Sequence, residues 1–336
     1  MAKVEFLFLN RHEVEALVPD MATIVDVVEQ GLAAHGRRDV VLPPKSHIHL
    51  DDRYNGHFNV LPGYAGHIDR AGVKVVGDYV DNWKHGLPSE VALLTVYNPG
   101  TGVPLCLMDA TASTWLRTGA VTGVGARHLA SADARVVGHI GARGTAFANI
   151  AAIACSRAIE EVRIASARKE TREALAARIE KELGIRARPV ATALEAAEGA
   201  DIVVEATRLE KPEVLLPESA LKPGALLVPY GWVMAVDPAF PTAAQKFVVD
   251  DWEQCTKGGT FHSLITSGEV TRANVHAEIG EICAGLKPGR ENAAERIVFW
   301  HRGFAISDIV LGHWIHERAR REGVGQTLLL WDGPDE

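Results

Sequence analysis

From residue 134 the chain alternates short apolar runs with amphipathic ones, and this alternation restricts the fold more than any other feature. RVVGHI, VRIAS, DIVVEAT, GALLVPYG and KFVVDD are strand-like, and ARPVAT is a weaker run of the same kind. Between them lie AFANIAAIACSRAI, KETREALAARIEKELG ending in Gly184, and ALEAAEG, which read as helices. Strands that alternate with helices require crossover connections, so they form a parallel sheet. The expected fold class is therefore α/β, with a Rossmann-type parallel-sheet domain over 131–304. The flanking residues read as one discontinuous α+β domain, 1–130 with 305–336.

Before residue 130 the pattern differs. A helix is expected over about 11–36, opened by Asn10, followed by strands such as GVKVVGDYV and EVALLTVYN. PGTG, residues 99–102, is a hairpin turn by composition. STWLRTGAVTGVGARHLA (113–130) reads as a helix whose small residues suit close packing. GFAISDIVLGHWIHERARREG (303–323) reads as a last helix lying too far along the chain to belong to the alternating block. It is expected to complete the first domain.

A formal net charge of −8 argues against a nucleic-acid or polyanion partner. The longest apolar stretches are too short to span a bilayer. The opening MAKVEFLFLNRHEVEALV lacks the order of a signal peptide. Cys106, Cys155, Cys255 and Cys283 are widely spaced, with neither a zinc signature nor a disulfide framework. A reduced, cytoplasmic protein without a bound metal is expected.

The segment HIGARGTA, residues 139–146, follows an apolar strand and opens a small-residue helix. That is the setting of a dinucleotide loop, in which helix N–H groups and the positive dipole end meet a pyrophosphate. Gly141, Ala142, Arg143, Gly144, Thr145 and Ala146 are the expected contacts. Arg143 stands where the second glycine of such a loop belongs, so its side chain must point away or itself reach phosphate. After the next strand, an acid would hold the ribose 2′-OH of NAD. The sequence there is IASARKE, and Ser166, Arg168 and Lys169 suit a 2′-phosphate instead. NADP(H) is favoured as cofactor, with NAD(H) possible.

Taken together, the chain resembles the ornithine cyclodeaminase/mu-crystallin family. The resemblance runs over nearly its whole length. It rests on VKVV with Lys74, GLPSEVALLTVYNPGTGVPLCLMDAT (86–111), LRTGA with Arg117 and Thr118, and GARGTA. It continues through ADIVVEAT with Thr207, LKPGALL, VDDWEQ, AEIGEICAGLKPGR (277–290) and GFAISDIVLG. The resemblance implies a substrate and dimerisation domain with a Rossmann domain inserted, a homodimer, and an amino, imino or keto acid as small-molecule partner. It assigns Lys74 to the substrate site and Arg117 to the substrate carboxylate. Lys45 stands where relatives usually carry a second carboxylate-binding arginine, and the exchange loses the bidentate fork. Thr118, Thr207 and Gly231 fall with the cofactor.

Two departures bear on chemistry. Val233 occupies the position, two residues after Gly231, of an Asp in the cyclodeaminases, and valine moves no proton. Asp237 is the nearest acid in sequence. His301, in FWHRG, replaces a small hydroxyl residue near the nicotinamide. A reductase of imino or keto acids is therefore expected; a cyclodeaminase with bound NAD and a non-catalytic cofactor-binding protein are the alternatives. Lys74 is the first candidate for proton donor, because a desolvated lysine loses basicity, and His301 the second. His57 and His85 read as ordinary loop residues and Asp308 as a cap or brace of the last helix. His313 and His316 read as surface residues of that helix, without an evident third ligand.

Overall fold

The computed structural model describes residues 3–333. The chain divides into two compact units, Met1–Arg117 with Phe304–Glu336, and Thr118–Gly303.

Unit 1 begins with β1 (Lys3–Leu9). Helices α1 (Arg11–Leu17) and α2 (Met21–Gly36) follow, then strands β2 (Val40–Val41) and β3 (Ser46–His49). Next come α3 (Asp51–Tyr54), β4 (Gly56–Ala65), β5 (Arg70–Tyr79), β6 (Glu90–Tyr97) and β7 (Pro104–Asp109). The start of α1 is a capping box: Asn10 Oδ1 accepts from the Glu13 amide at 3.2 Å, and Glu13 Oε2 accepts from the Asn10 amide at 2.8 Å. The single helix expected over 11–36 is in fact two. Pro19 disfavours helix at the residue before it, and Asp20 then caps a new helix by accepting from the Thr23 amide at 2.8 Å. PGTG does form the β6–β7 turn, with Gly102 at φ +73°.

Helix α4 (Thr111–Leu129) carries the chain into unit 2. The division falls within this helix and not after it at residue 130, because Gly119 and Gly123 bring its second half against Ala148 and Ala152. Unit 2 continues with β8 (Val136–Ile140), α5 (Ala146–Ser156), β9 (Glu161–Ala165), α6 (Lys169–Leu183) and β10 (Arg186–Val190). After α7 (Ala193–Ala197) come β11 (Ile202–Glu205), β12 (Leu226–Pro229), α8 (Phe240–Ala243) and β13 (Lys246–Val249). Short helices α9 (Trp252–Cys255) and α10 (His262–Ser267) precede β14 (Val275–Glu278), α11 (Ile279–Cys283) and β15 (Ile297–Trp300). The sheet is parallel throughout, in the order β10-β9-β8-β11-β12-β15-β13-β14. Its order reverses at β8, the switch point at which ligands bind in doubly wound sheets. A Rossmann-like parallel sheet is what the alternation requires, and the α/β fold class is observed.

The chain then returns to unit 1 as α12 (Ala305–Glu322) and β16 (Gln326–Asp332). The mixed sheet of unit 1 runs β16-β1-β7-β6-β5-β4-β2, with β3 also paired to β4. Neither β1 nor β16 is legible as a strand in the sequence. Each is stabilised by the other, antiparallel and across almost the whole chain. Helix α12 packs on β4, β5 and β6. Gly72 of β5 makes that approach possible: a Cβ there would lie 2.8 Å from Ile309 Cγ1 and 3.1 Å from the Thr95 carbonyl.

Candidate active site

On β5, Gly72, Lys74 and Val76 alternate with exposed Val75, so Lys74 points to the face covered by α12. Its ammonium is fully buried. It donates to Asp308 Oδ1 at 2.7 Å and to Thr114 Oγ1 at 3.2 Å. Arg117, one turn further along α4 than Thr114, donates through Nε to the same Asp308 oxygen at 2.8 Å. The side chains of Lys74, Arg117 and Asp308 are 1%, 8% and 3% exposed. Asp308 Oδ2 is buried and has no hydrogen-bond partner among the described residues. Burial, with the charge of Arg117 beside it, pushes the Lys74 pKa down to about 8 against the opposing pull of Asp308. Two cations and one carboxylate thus leave a net positive charge out of water, beside an acceptor with spare capacity. This arrangement suits a substrate bearing one carboxylate and one N–H. Asp308, read from sequence as a brace for the last helix, is the hub of the cluster; its i−4 to i+4 neighbours on α12 give no sign of that.

Unit 2 carries the glycine loop. Gly141 has φ +104°, and a Cβ there would sit 2.6 Å from the Ala206 carbonyl, so only glycine fits this turn. Arg143 and Gly144 are exposed, so the Arg143 side chain leaves the backbone approach open. Helix α5 starts at Ala146 without a side-chain cap, which leaves first-turn N–H groups to a ligand. A dinucleotide pyrophosphate fits this loop at the reversal point of the sheet.

Behind the loop lies a polar network that the sequence reading missed. His139 Nδ1 lies 2.7 Å from the Gly141 carbonyl, and its Nε2 lies 3.1 Å from Asn149 Nδ2. Asn149 also donates to the Tyr230 hydroxyl at 2.6 Å, which touches Thr145 Oγ1. Thr122 Oγ1 lies 3.2 Å from Asn149 Oδ1 and 3.0 Å from His301 Nε2. The amide of Asn149 donates to His139, so His139 carries its proton on Nδ1 and bonds the loop carbonyl. Burial holds His139 neutral, its pKa down to about 4. Thr122 donating to Asn149 leaves His301 Nε2 to donate to Thr122. His301 is buried, with its ring stacked 4.7 Å from that of Tyr230. Asp250, at the end of β13, accepts from the amides of Arg302 at 2.7 Å and Gly303 at 2.6 Å and so holds the backbone that follows His301. The readable signal for this network was a histidine inside the apolar strand RVVGHI.

The remaining candidates fall as follows. Thr207 turns both its amide and its hydroxyl towards Glu205 Oε1. Gly231 is buried and its carbonyl accepts from Thr260. Thr118 and Lys45 are half-buried. Ser166 bonds Thr171 at 2.8 Å, while Arg168 and Lys169 are exposed at the start of α6. Asp237 is committed to local backbone: it accepts from the Ala239 amide at 2.9 Å and the Glu218 amide at 3.2 Å. His57 lies in β4, not in a loop.

The chain matches the ornithine cyclodeaminase/mu-crystallin family over residues 4–323. It belongs to that family. An alanine dehydrogenase of Archaeoglobus fulgidus is 32% identical over 97% of this chain and 98% of its own length. The solved Delta(1)-pyrroline-2-carboxylate reductase of Thermococcus litoralis, in complex with NADH and L-proline, is 31% identical. It superposes with a TM-score of 0.90 over 96% of this chain and all of its own. A solved archaeal alanine dehydrogenase dimer with bound NAD is 30% identical and gives a TM-score of 0.89 over 97% and 100% of the two chains. This member of the family is an NAD(P)-dependent oxidoreductase. Among its described residues, no helix is long and apolar enough to cross a membrane.

Removing the shared carboxylate tests the cluster. Asp308→Asn strands two buried cations, and the loss is expected to be about 3–5 kcal/mol, as for breaking a buried ion pair. Thermal melts should show a clear fall in Tm. An unchanged melt would mean that Lys74 and Arg117 are not held as an ion cluster.

Proposed function

We propose that this chain is a reductase of an α-imino acid, or of an α-keto acid with ammonia, using NAD(P)H and running in reverse as an amino-acid dehydrogenase. The observation that carries this reading is the buried net positive charge of Lys74, Arg117 and Asp308. A substrate monocarboxylate neutralises it, and the unpartnered Asp308 Oδ2 accepts the substrate N–H. Arg117 anchors the carboxylate, with Lys45 as a second cation for it. The bound nicotinamide supplies the hydride. Lys74 supplies the proton, its pKa near 8 placing it within reach of neutral pH. His301 is the second candidate for that role, but its Nε2 is engaged with Thr122.

Cyclodeamination is disfavoured. Val233 carries no proton, and Asp237 is bound to backbone amides. Lys74→Ala is expected to lower kcat by about 10²-fold, the usual loss for a general acid. In the native enzyme, imine reduction needs the ammonium form of Lys74, so kcat should fall as pH rises through about 8. The amino-acid oxidation needs the neutral amine, so it should rise over the same range. Near-native kcat in the variant would remove Lys74 from proton transfer. Sustained release of proline and ammonia from L-ornithine would favour the lyase.

The corner Ser166, Arg168 and Lys169, with no acid among residues 166–169 directly after β9, supports NADP(H) over NAD(H). The carbonyl of Ser166 is held by Arg172 at 2.7 Å, which adds a third cation to that corner. Fluorescence titration should give tighter binding of NADPH than of NADH, and Arg168→Ala should narrow the difference. Equal or tighter binding of NADH would reverse the preference.

A homodimer is supported by the outer face of the unit 1 sheet. Strand register aligns Ile48, Phe58 and Val91 in one row and Val60, Val75 and Leu93 in the next, all on the face opposite Lys74. Ile48, Val75, Val91 and Leu93 are exposed. A charge placed there, as in Leu93→Lys, should convert a dimer to monomer in sedimentation velocity. A native chain that sediments as a monomer would reject this assembly.

A further inference from the structure

The residues read from sequence as the surface pair of the last helix lie in unit 1 around a buried point. His313 and His316 project from α12 one turn apart, and Glu317 follows. One ligand atom of each lies within 4.8 Å of the other two. Glu317 Oε1 is 3.5 Å from His316 Nδ1 and 3.9 Å from His313 Nδ1. Both nitrogens and the oxygen are shielded from solvent, and none has a hydrogen-bond partner among the described residues. Two ligands bound about 2.0–2.1 Å from one tetrahedral ion stand about 3.3 Å apart. The observed separations are therefore too long for hydrogen bonds and close to the edges of a coordination tetrahedron. His67, from the turn between β4 and β5, also has a buried Nδ1 without a partner. Together with Gln30, His313, Trp314, Glu317 and Arg321 it lines a cavity of about 250 Å³.

We propose that His313, His316 and Glu317 form a binding site for a divalent transition-metal ion of the zinc, cobalt or nickel type. Two imidazoles and a carboxylate are a ligand set such ions accept. Burial disfavours the charged form of these rings, the same direction that metal binding requires. The charges facing the site are mixed. Arg70 acts on His313 and His316, and Arg320 Nη1 approaches Glu317 Oε1 to 3.6 Å. Arg321 lines the cavity. These guanidiniums weaken cation binding, yet the carboxylate oxygen at the centre and the neutral rings turn an anion away. The ion would bridge successive turns of α12. Its place is structural, stiffening the helix whose first turn carries Asp308.

The test uses the tag-free, full-length protein, stripped with a chelator and titrated with Co²⁺. One equivalent should produce visible ligand-field bands and raise Tm. Replacing a ligand should cost more than the roughly 10–100-fold in affinity typical of losing an outer-shell partner. His313→Ala and His316→Ala should therefore abolish the bands, and Glu317→Gln, at a partly exposed carboxylate, should weaken them without unfolding the chain. Arg320→Gln should tighten binding. Absence of bands at one equivalent would overturn the proposal. So would bands that survive in the double variant His313→Ala, His316→Ala, which would move the ion to the separate cluster of His47, His49 and His57.

Discussion

A single carboxylate oxygen, Asp308 Oδ1, accepts from two buried cations that arrive on different elements, Lys74 from β5 and Arg117 from α4. Taking three charges out of water is unfavourable unless their geometry is tight. Here it is: both separations are below 3 Å, and Gly72 removes the side chain that would keep α12 from reaching the strand. The uneven count of charges matters as much as the pairing. With two positive groups and one negative, the cluster is electrostatically incomplete, and the carboxylate of the proposed substrate would balance it. Under the proposed function, stability and recognition draw on the same three side chains.

The cofactor loop obeys a different logic. It is held from behind by a chain of hydrogen bonds that includes His139, Asn149 and Tyr230. A glycine loop left to itself would sample many conformations. The buried histidine fixes one carbonyl, and the tyrosine meets one hydroxyl, so the turn is presented to its ligand already ordered. Because the network reaches His301 through Thr122, the loop and the segment after β15 form one polar assembly within unit 2.

What was legible in the sequence was local. The alternation of runs after residue 134 reports the parallel sheet, because each strand and helix carries its own periodicity. The loop of residues 141–146 is legible because a positive φ at Gly141 demands glycine. Distant partners hide the rest. Strand β16 is defined by its pairing with β1, and β1 by its pairing with both β16 and β7. Asp308 looks like an ordinary acid in the first turn of a helix, since its cations lie 234 and 191 residues away. Pro19 was the readable sign that the first helix is two, and a long apolar periodicity masked it. Lys74 and Arg117 were assigned by resemblance; spacing alone would not have singled out either.

Unit 1 is built from both ends of the described chain: β1 pairs with β16, and α12 covers strands laid down much earlier. Unit 2 is continuous in sequence. During synthesis, domains fold as their residues emerge. The inserted unit therefore leaves the ribosome whole, while the mixed sheet waits with its helix and one edge strand unmade. Throughout that interval Lys74 and Arg117 exist without the carboxylate that makes their burial tolerable. The cluster of Lys74, Arg117 and Asp308 is for this reason among the last parts of the nascent protein to form, and a chain stalled before residue 305 would hold a finished unit 2 and an incomplete unit 1.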